Sequence, residues 1–225
     1  MKEKITEISD LEKFFQPFFI HQKAYRKIYG YEIEGKKIFI KVYLSNLEEG
    51  EREWENLKLL SEMGYPVPTP LFFKKEKERV FIATEALMGT PLSEILPDSQ
   101  DSELYLKALA ELLSQLHKNS LFHQDCYLNH FYWDEASQKL SFLDVARVKS
   151  SKVFAFYYQV KDLSQLGYSF EEYLGQRGPI YFQVFLKFYE KNMQELSIFQ
   201  KILLKFKISR IRKRTIKRRL KGKPL

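Results

Sequence analysis

The chain has a single cysteine, only 9 glycines and 8 prolines among 225 residues, and no long apolar run. One cysteine, Cys126, excludes a disulfide within the chain and suits a reducing compartment. No apolar stretch reaches the roughly 18 residues typical of a membrane-spanning helix. The segment MKEKITEISDLEKFF is charged throughout and lacks the apolar centre of a secretion signal. We therefore expect a cytoplasmic protein whose membrane contact, if any, is peripheral.

Acidic residues are absent from residues 201–225, which hold twelve Lys or Arg. The other residues comprise 25 basic and 29 acidic side chains, so they carry −4 of a total net charge of +8. The basic character is therefore an appendage on a mildly acidic body. This asymmetry predicts that the C-terminal segment contacts an anionic surface.

The spacing of Leu204, Ile208 and Ile211 places them on one face of a helix, with Lys and Arg on the other faces. A basic amphipathic helix is typical of segments that lie on anionic membranes, and we favour that interpretation. Nucleic acid is attracted by the same charge, but the tail lacks interleaved aromatic residues and a recognisable reading module, so nucleic acid is not expected. A solvated terminus is the third interpretation.

Apolar periodicity predicts an α+β protein with a small β-rich N-terminal part and a helical C-terminal part. The order strand–strand–helix–strand–strand fills the first ninety residues, and a breaker-rich joint follows at 89–100. The predicted domains are residues 1–88, residues 89–200 and the basic tail 201–225. The main predicted elements are strands within 25–44 and 68–87, helices at 46–64 and 102–118, and a strand at 139–148.

Five side chains follow one another in the order that phosphoryl transfer from ATP requires. A lysine neutralises the nucleotide phosphates and a glutamate holds that lysine, while one aspartate takes the proton of the acceptor hydroxyl and another binds Mg²⁺. Protein kinases place the catalytic Asp and a metal-binding Asn five residues apart, the spacing found here between Asp125 and His130. The ordered set is Lys41 on a strand, Glu53 on the next helix, Asp125 and His130 after a long helix, and Asp144 after an apolar strand.

Several segments resemble the lipopolysaccharide kinase family (Kdo/WaaP type), and most closely its kinases of an inner-core heptose. They are RKIYGYEIEGKKIFIKVY, REWENLKLLSEMGYPVPTP, HQDCYLNHF, LDVARV and VKDLSQLGYS, over roughly residues 22–170. The pattern H-x-D-C-Y-x-x-H-F is the most specific of them. The resemblance implies a bilobal, protein-kinase-like fold, ATP with Mg²⁺, and a sugar hydroxyl on a lipid-linked glycan as the acceptor.

The resemblance also implies a role for each matching residue. The catalytic and ligand-binding positions would be Asp125 as the catalytic base, Lys41 as the ATP lysine, Glu53 as its helix partner, and Asp144 and His130 as Mg²⁺ ligands. The hinge that meets adenine through its backbone would run from Glu85 to Leu87. Asp162 resembles the buried aspartate that supports the catalytic loop from below.

Three departures separate the sequence from conventional protein kinases. No G-x-G-x-x-G loop precedes Lys41, so the phosphates must be held by other means in the AYRKIYGYE region. Gln124 replaces the arginine that receives an activation-loop phosphate, which predicts activity without that switch. No Ala-Pro-Glu segment follows Asp144, so a peptide-docking platform has little room.

The same residues also allow other functional interpretations. Cys126 could be a nucleophile activated by His123 or His130. Alternatively, these three residues could bind zinc. Neither interpretation accounts for Lys41 and Asp144. Arg147 could pair with an acidic neighbour or contact substrate. The acceptor could be Kdo, a small aminated metabolite or a protein tyrosine, and a pseudokinase-like module that binds glycolipid or nucleotide is the alternative to an enzyme. We favour an ATP-dependent heptose kinase at the inner face of the cytoplasmic membrane.

Overall fold

The computed structural model describes residues 16–99 and 101–221, which divide into two compact units between Leu87 and Met88. The first unit is an antiparallel sheet of five strands in the order β1-β2-β3-β5-β4, with one helix after the third strand. Its elements are β1 (Phe19–Lys23), β2 (Arg26–Ile33), β3 (Lys36–Tyr43), α1 (Leu47–Glu62), β4 (Pro70–Lys75) and β5 (Val80–Glu85).

Strand β1 is an addition to the strands that the sequence predicted. Its residues are largely exposed, so it lacks the alternation of buried and exposed side chains that reveals a strand. Phe18 and Phe19 pack edge-on against Phe39 at 5.9 and 5.8 Å between ring centroids. Gly30 permits this packing, because a Cβ atom there would lie 2.8 Å from the Phe18 ring.

Helix α1 lies close to the sheet of the first unit. Gly50 allows the approach, since a Cβ atom at this position would lie 2.7 Å from the Tyr43 ring. The helix buries Leu57 and Leu60 together with Glu53, a charged residue that is only 2% exposed. A buried carboxylate requires polar partners, and this one has them in β3.

The second unit is mainly helical, with three small antiparallel pairings of strands. Short 3₁₀ turns occupy Leu128–His130, Val145–Arg147 and Gly175–Arg177. Its other elements are β6 (Thr90–Pro91), α2 (Leu92–Asp98), α3 (Ser102–Lys118), β7 (Leu121–Phe122), β8 (Phe131–Asp134), β9 (Lys139–Phe142), β10 (Lys149–Ser150), α4 (Ala155–Leu174), α5 (Gly178–Asn192) and α6 (Ile198–Arg219).

The core of the second unit includes the aromatic stretch of α5. Phe182 and Phe185 stack at 5.9 Å, and Phe185 stacks on Tyr189 at the same distance. Phe170 of α4 packs against both phenylalanines. These rings are buried, so this aromatic part of α5 belongs to the core.

The strand expected at 139–148 is shorter than predicted. Strand β9 ends at Phe142, and Asp144 adopts the left-handed conformation with φ 62°. A residue in this conformation cannot continue a strand, and the chain turns into the 3₁₀ segment Val145–Arg147. The turn places the carboxylate of Asp144 beside the loop that follows β7.

Helix α6 forms most of the basic tail and begins at a capping box. Ser197 accepts the N–H of Gln200, and the Gln200 side chain accepts the N–H of Ser197. Leu204 and Ile208 are buried, and α6 packs along α4. The apolar spacing of the tail therefore serves packing within the protein. Among the described helices, none is long and apolar enough to span a membrane.

Candidate active site

Within the first unit, Lys41 is held by a buried carboxylate. The Lys41 Nζ contacts Glu53 Oε1, and the Tyr43 hydroxyl donates to Glu53 Oε2. Lys41 and Tyr43 are two residues apart on β3 and so share a face of the sheet. Burial and the neighbouring Glu53 carboxylate raise the pKa of Tyr43, so Tyr43 remains a hydrogen-bond donor. Glu53 thus has two partners that fix the position of the lysine.

The strands before Lys41 are joined by a tight hairpin. Lys23 pairs with Arg26, so only Ala24 and Tyr25 link β1 to β2. The Tyr25 carbonyl accepts the N–H of Leu44 at 2.9 Å, which ties the turn to the end of β3. The hairpin is therefore held by main-chain bonds without a glycine-rich loop.

The predicted hinge follows β5 at the end of the first unit. The N–H of Glu85 donates to Thr69 O at 3.0 Å, and the N–H of Ala86 donates to Lys37 O at 2.9 Å. Lys36 Nζ lies 2.8 Å from Glu85 Oε1, so the Glu85 side chain pairs with β3. Among the described residues, the N–H groups of Glu85 and Ala86 thus form main-chain hydrogen bonds, whereas that of Leu87 forms none.

In the second unit, Asp162 of α4 supports the loop that follows β7. Its carboxylate accepts the main-chain N–H groups of His123 and Gln124, each at 2.7 Å, and the Gln124 side chain at 2.9 Å. Asp162 is fully buried, so each of these charge-assisted bonds acts in a low-dielectric environment. The loop therefore depends on one carboxylate for its conformation.

Two more α4 side chains hold the same loop. Gln165 Oε1 accepts the N–H of Cys126 at 3.3 Å and its amide donates to Gln124 O at 3.2 Å. Ser169 Oγ accepts the N–H of Leu128 at 2.8 Å. Asp125 thus lies between residues whose main chain is bonded to α4 on both sides.

Behind Asp162, a buried polar chain runs toward the basic helix. His117 Nε2 lies 3.2 Å from Asp162 Oδ2, and His117 Nδ1 lies 2.6 Å from the Tyr189 hydroxyl. The Gln159 amide donates to Tyr189 at 2.8 Å, and the Gln200 amide of α6 donates to Gln159 at 3.1 Å. His117 is a structural residue that joins α3 to α4 and α5.

His123 links the loop to the end of β9. Its Nε2 lies 3.1 Å from Leu143 O, and its Nδ1 accepts the N–H of Asp125 at 3.3 Å. Both contacts are satisfied by the neutral tautomer that carries hydrogen on Nε2. Burial is the largest cause that lowers the pKa of His123, with His130 adding to it, which also favours the neutral ring. These contacts give His123 a supporting role.

Asp125, His130 and Asp144 come together in the second unit. One ligand atom from each lies within 4.8 Å of the other two. His130 Nδ1 donates to Asp125 O at 2.8 Å, which leaves its Nε2 lone pair 3.8 Å from Asp144 Oδ2. The side chains are partly exposed, so a solvent-borne ion or substrate can reach them.

The chemistry of this cluster suits a divalent cation. Two carboxylates supply the hard oxygen ligands that Mg²⁺ prefers. The imidazole nitrogen of His130 is favoured more by first-row transition ions such as Mn²⁺. The bond from His130 Nδ1 to a carbonyl fixes the ring orientation, which is the usual arrangement for a metal-binding histidine. The three residues therefore fit a metal site.

Arg147 pairs with Asp125. Its Nη1 lies 3.3 Å from Asp125 Oδ1, with the arginine side chain 58% exposed. Arg147 is in the 3₁₀ turn that follows Asp144, so one short segment presents a candidate metal ligand and the partner of Asp125. The first of the two roles left open for Arg147, pairing with an acidic neighbour, is present in the structure.

The structure does not support a thiol or zinc function for Cys126. Its side chain is completely buried, and burial raises the thiol pKa well above its usual range. A nucleophilic thiol requires the opposite shift. Both nitrogens of His123 contact the main chain, so they are not presented to a zinc ion.

Two groups of predicted site residues are thus assembled, one in each unit. Lys41 meets Glu53 in the first, and Asp125, His130 and Asp144 meet in the second. Sequence reasoning missed the role of Tyr43, although its position two residues after Lys41 on one strand was a usable signal. It also missed Gln165 and Ser169, which no spacing rule connects to a loop about 40 residues earlier.

Comparison with known proteins decides the family. The sequence model of the Lipopolysaccharide kinase (Kdo/WaaP) family matches residues 20–198. The chain belongs to this family. A curated relative is the lipopolysaccharide core heptose(I) kinase WaaP of Pseudomonas aeruginosa, 23% identical over 186 residues, or 65% of this chain and 69% of that protein.

Two solved structures share the fold. A structure of WaaP in complex with acyl carrier protein matches with a TM-score of 0.67 at 20% identity, over 90% of this chain and 91% of the other. A type VIII aminoglycoside-3'-phosphotransferase matches with a TM-score of 0.68 at 17% identity, over 86% and 91%. The predicted protein-kinase-like fold is confirmed, and the chain is a phosphotransferase.

Proposed function

We propose that this lipopolysaccharide kinase transfers the γ-phosphate of ATP to a sugar hydroxyl of the lipopolysaccharide inner core, with heptose as the acceptor. The observation that carries the proposal is the meeting of Asp144 with Asp125 and His130, two residues of the loop that the buried Asp162 holds. The name of the curated relative, a core heptose kinase, supports heptose as the sugar.

In this proposal Asp125 orients the acceptor hydroxyl and takes its proton. The carboxylate is partly exposed, and Arg147 fixes one of its oxygens. The main chain on either side of Asp125 is bonded to α4, so the carboxylate is held before the acceptor binds. Such fixed orientation is the principal contribution of a protein to phosphoryl transfer.

Nucleotide binding is assigned to residues of the first unit, and metal binding to residues of the second. Lys41, held by Glu53, binds the phosphates of ATP, and the main chain of the hinge from Glu85 to Leu87 binds adenine. Asp144 and His130 hold the divalent cation. Bound Mg²⁺ supplies positive charge that offsets the charge developing on the phosphoryl oxygens. Residues 1–88 thus serve nucleotide binding and residues 89–200 serve acceptor binding and proton transfer.

We further propose that residues 201–225 bring the enzyme to the anionic inner face of the cytoplasmic membrane. The exposed face of α6 supports this, because Ile198, Phe199, Ile202 and Phe206 are each more than 60% exposed and lie among basic residues. Deleting the tail would also remove the buried Leu204 and Ile208, so a double substitution, Ile202→Ser with Phe206→Ser, is the sharper test. It should reduce sedimentation with phosphatidylglycerol vesicles, and unchanged sedimentation would refute the membrane role.

The relative solved with acyl carrier protein makes that protein a second partner to assay.

The decisive test of the enzymatic role is phosphate transfer. Lipopolysaccharide from a strain that lacks this gene is incubated with the purified chain and ATP, and mass spectrometry then locates any added phosphate. We expect one phosphate on a core heptose, and none with Asp125→Asn. Phosphate on another sugar would replace heptose as the acceptor. ATP consumption that is equal in the two proteins would instead favour a binding module.

A further inference from the structure

The second unit contains a groove between α4 and α6 whose charged lining is entirely basic. Its volume is about 770 Å³, which is within the usual range for a small-molecule site. No acidic side chain is among its lining residues in the described part of the chain. Six cations line it: Lys161, Lys207, Arg210, Lys213, Arg214 and Lys217.

The basic residues of α6 have two different structural roles. On one flank of the helix, Arg212 binds Glu171 at 2.7 Å, and Arg219 pairs with Glu172. These pairs fasten α6 to α4 beside the buried face that contains Ile208. On the opposite flank are the five groove cations of α6, which share a face of the helix by their spacing of three and four residues. Within residues 16–99 and 101–221, the ion pairs of the structure include none for Arg210, Arg214 or Lys217.

Two lining residues of the groove form hydrogen bonds with the loop that contains Asp125. Lys161 lines it and donates to Gln124 Oε1 at 3.1 Å. Gln165 also lines it and holds the N–H of Cys126. Gln124 and Cys126 are the two neighbours of Asp125 in the chain. Arg214 lies on the other wall of the groove.

We propose that this groove binds the carboxylate or phosphate groups of the acceptor glycan and thereby orients the acceptor at Asp125. The inference rests on the proposed function and adds a site for the anionic part of the substrate. Arginine and lysine form charge-assisted bonds with both kinds of anion. A concave site of this size suits a glycan better than the flat surface of a membrane.

The test measures binding apart from catalysis. The probe is fully deacylated lipopolysaccharide from a strain that lacks this gene, which is soluble and cannot insert into a bilayer. Calorimetry with the full chain compares the wild type with the triple variant Arg210→Gln, Arg214→Gln, Lys217→Gln, whose positions are all exposed. The matched control removes three charges from exposed lysines elsewhere in the same unit: Lys107→Gln, Lys118→Gln and Lys139→Gln.

We expect the triple variant to bind the probe at least about tenfold more weakly, and the control to change Kd less than about twofold. Phosphate transfer by the triple variant should show a raised KM for the deacylated acceptor and an unchanged KM for ATP. Equal Kd values for wild type and triple variant would overturn the inference, as would a wild type that does not bind the probe.

The remaining outcomes separate the rival explanations. If the triple variant loses sedimentation with phosphatidylglycerol vesicles but keeps its Kd for the probe, the groove is a membrane contact and the inference is wrong. If the wild type binds the probe through the groove but transfers no phosphate to it, the proposed reaction fails while the anion site stands.

Discussion

The guanidinium of Arg147 lies 3.3 Å from the carboxylate of Asp125, across 22 residues of sequence. The pair joins the turn after Asp144 to the loop that carries the proposed base. Because the arginine is more than half exposed, salt and solvent screen the pair, and its contribution to stability is small. Its effect should be seen in the orientation of Asp125.

Replacing Arg147 by alanine should therefore lower kcat about five- to tenfold with little change in melting temperature. The KM for ATP should not change, because the pair orients the acceptor side of the site. Steady-state phosphate transfer measures both constants. Lys152→Ala, an exposed neighbour in the same segment, is the control. An unchanged kcat in the Arg147 variant would show that Asp125 is oriented without it.

Glu53 bonds to both Lys41 and Tyr43, and substitution of Glu53 should weaken nucleotide binding more than substitution of Tyr43. Glu53→Gln removes the charge that holds Lys41, and we expect the KM for ATP to rise about tenfold or more. Tyr43→Phe leaves that charge in place and removes one neutral donor, so its effect should be several times smaller. Nucleotide binding by both variants can be followed by calorimetry. Similar losses in the two would mean that the tyrosine positions the lysine as strongly as the charge does.

His130 should determine which metal the enzyme prefers. Because an imidazole nitrogen favours first-row ions over Mg²⁺, the wild type should bind Mn²⁺ with ATP more tightly than Mg²⁺. His130→Asn supplies an oxygen ligand and should lower the Mn²⁺ affinity about tenfold while changing the Mg²⁺ affinity less. Electron paramagnetic resonance of bound Mn²⁺, alone and in competition with Mg²⁺, measures both affinities without turnover. Equal losses for the two ions would exclude a ligand role for the ring nitrogen.

Asp162 should be among the most sensitive positions for stability. Asp162→Ala leaves the N–H groups of His123 and Gln124 buried without their acceptor, which we expect to cost about 3 kcal/mol or more. Chemical denaturation followed by tryptophan fluorescence provides the measurement. The exposed Asp98→Ala serves as the reference, with an expected change below about 0.5 kcal/mol. A change of similar size in both variants would contradict the supporting role.

Ionisation of Tyr189 should lower the free energy of unfolding at alkaline pH. Burial raises its pKa above the usual value of 10.0, so the folded protein keeps the phenolic proton that the unfolded chain releases. The contribution of this retained proton to folding stability is complete below pH 10. It is lost as the pH rises from 10 through the pKa of Tyr189 in the folded protein, by up to about 1.4 kcal/mol per pH unit. Tyr189→Phe should be less stable at pH 7, where its bonds to His117 and Gln159 are missing, yet lose less stability above pH 10 than the wild type. Thermal melts across pH 7 to 11 give both slopes, and parallel slopes would rule the tyrosine out.

The order and spacing of charged residues were readable from the sequence. Lys41 on a strand, Glu53 on the following helix and the five-residue step from Asp125 to His130 are local features, and local periodicity reveals which side chains share a face. The helix at 102–118 was predicted with the bounds that it has, because its apolar stripe is long and regular. Strand β1 and the early end of β9 were not predicted, since an exposed edge strand and a left-handed aspartate leave no periodic signal.

The sequence by itself determined the family and the type of fold and indicated the candidate residues for phosphoryl transfer, because these depend on residue type and spacing along the chain. Only the tertiary structure decided that Tyr43 shares Glu53 with Lys41, that Arg147 pairs with Asp125, and that the apolar stripe of the tail packs on α4. It also separated the basic residues of α6 into those with carboxylate partners and those that line a groove. Such partners are brought together by the packing of helices distant in sequence, and no pattern within one segment encodes that arrangement.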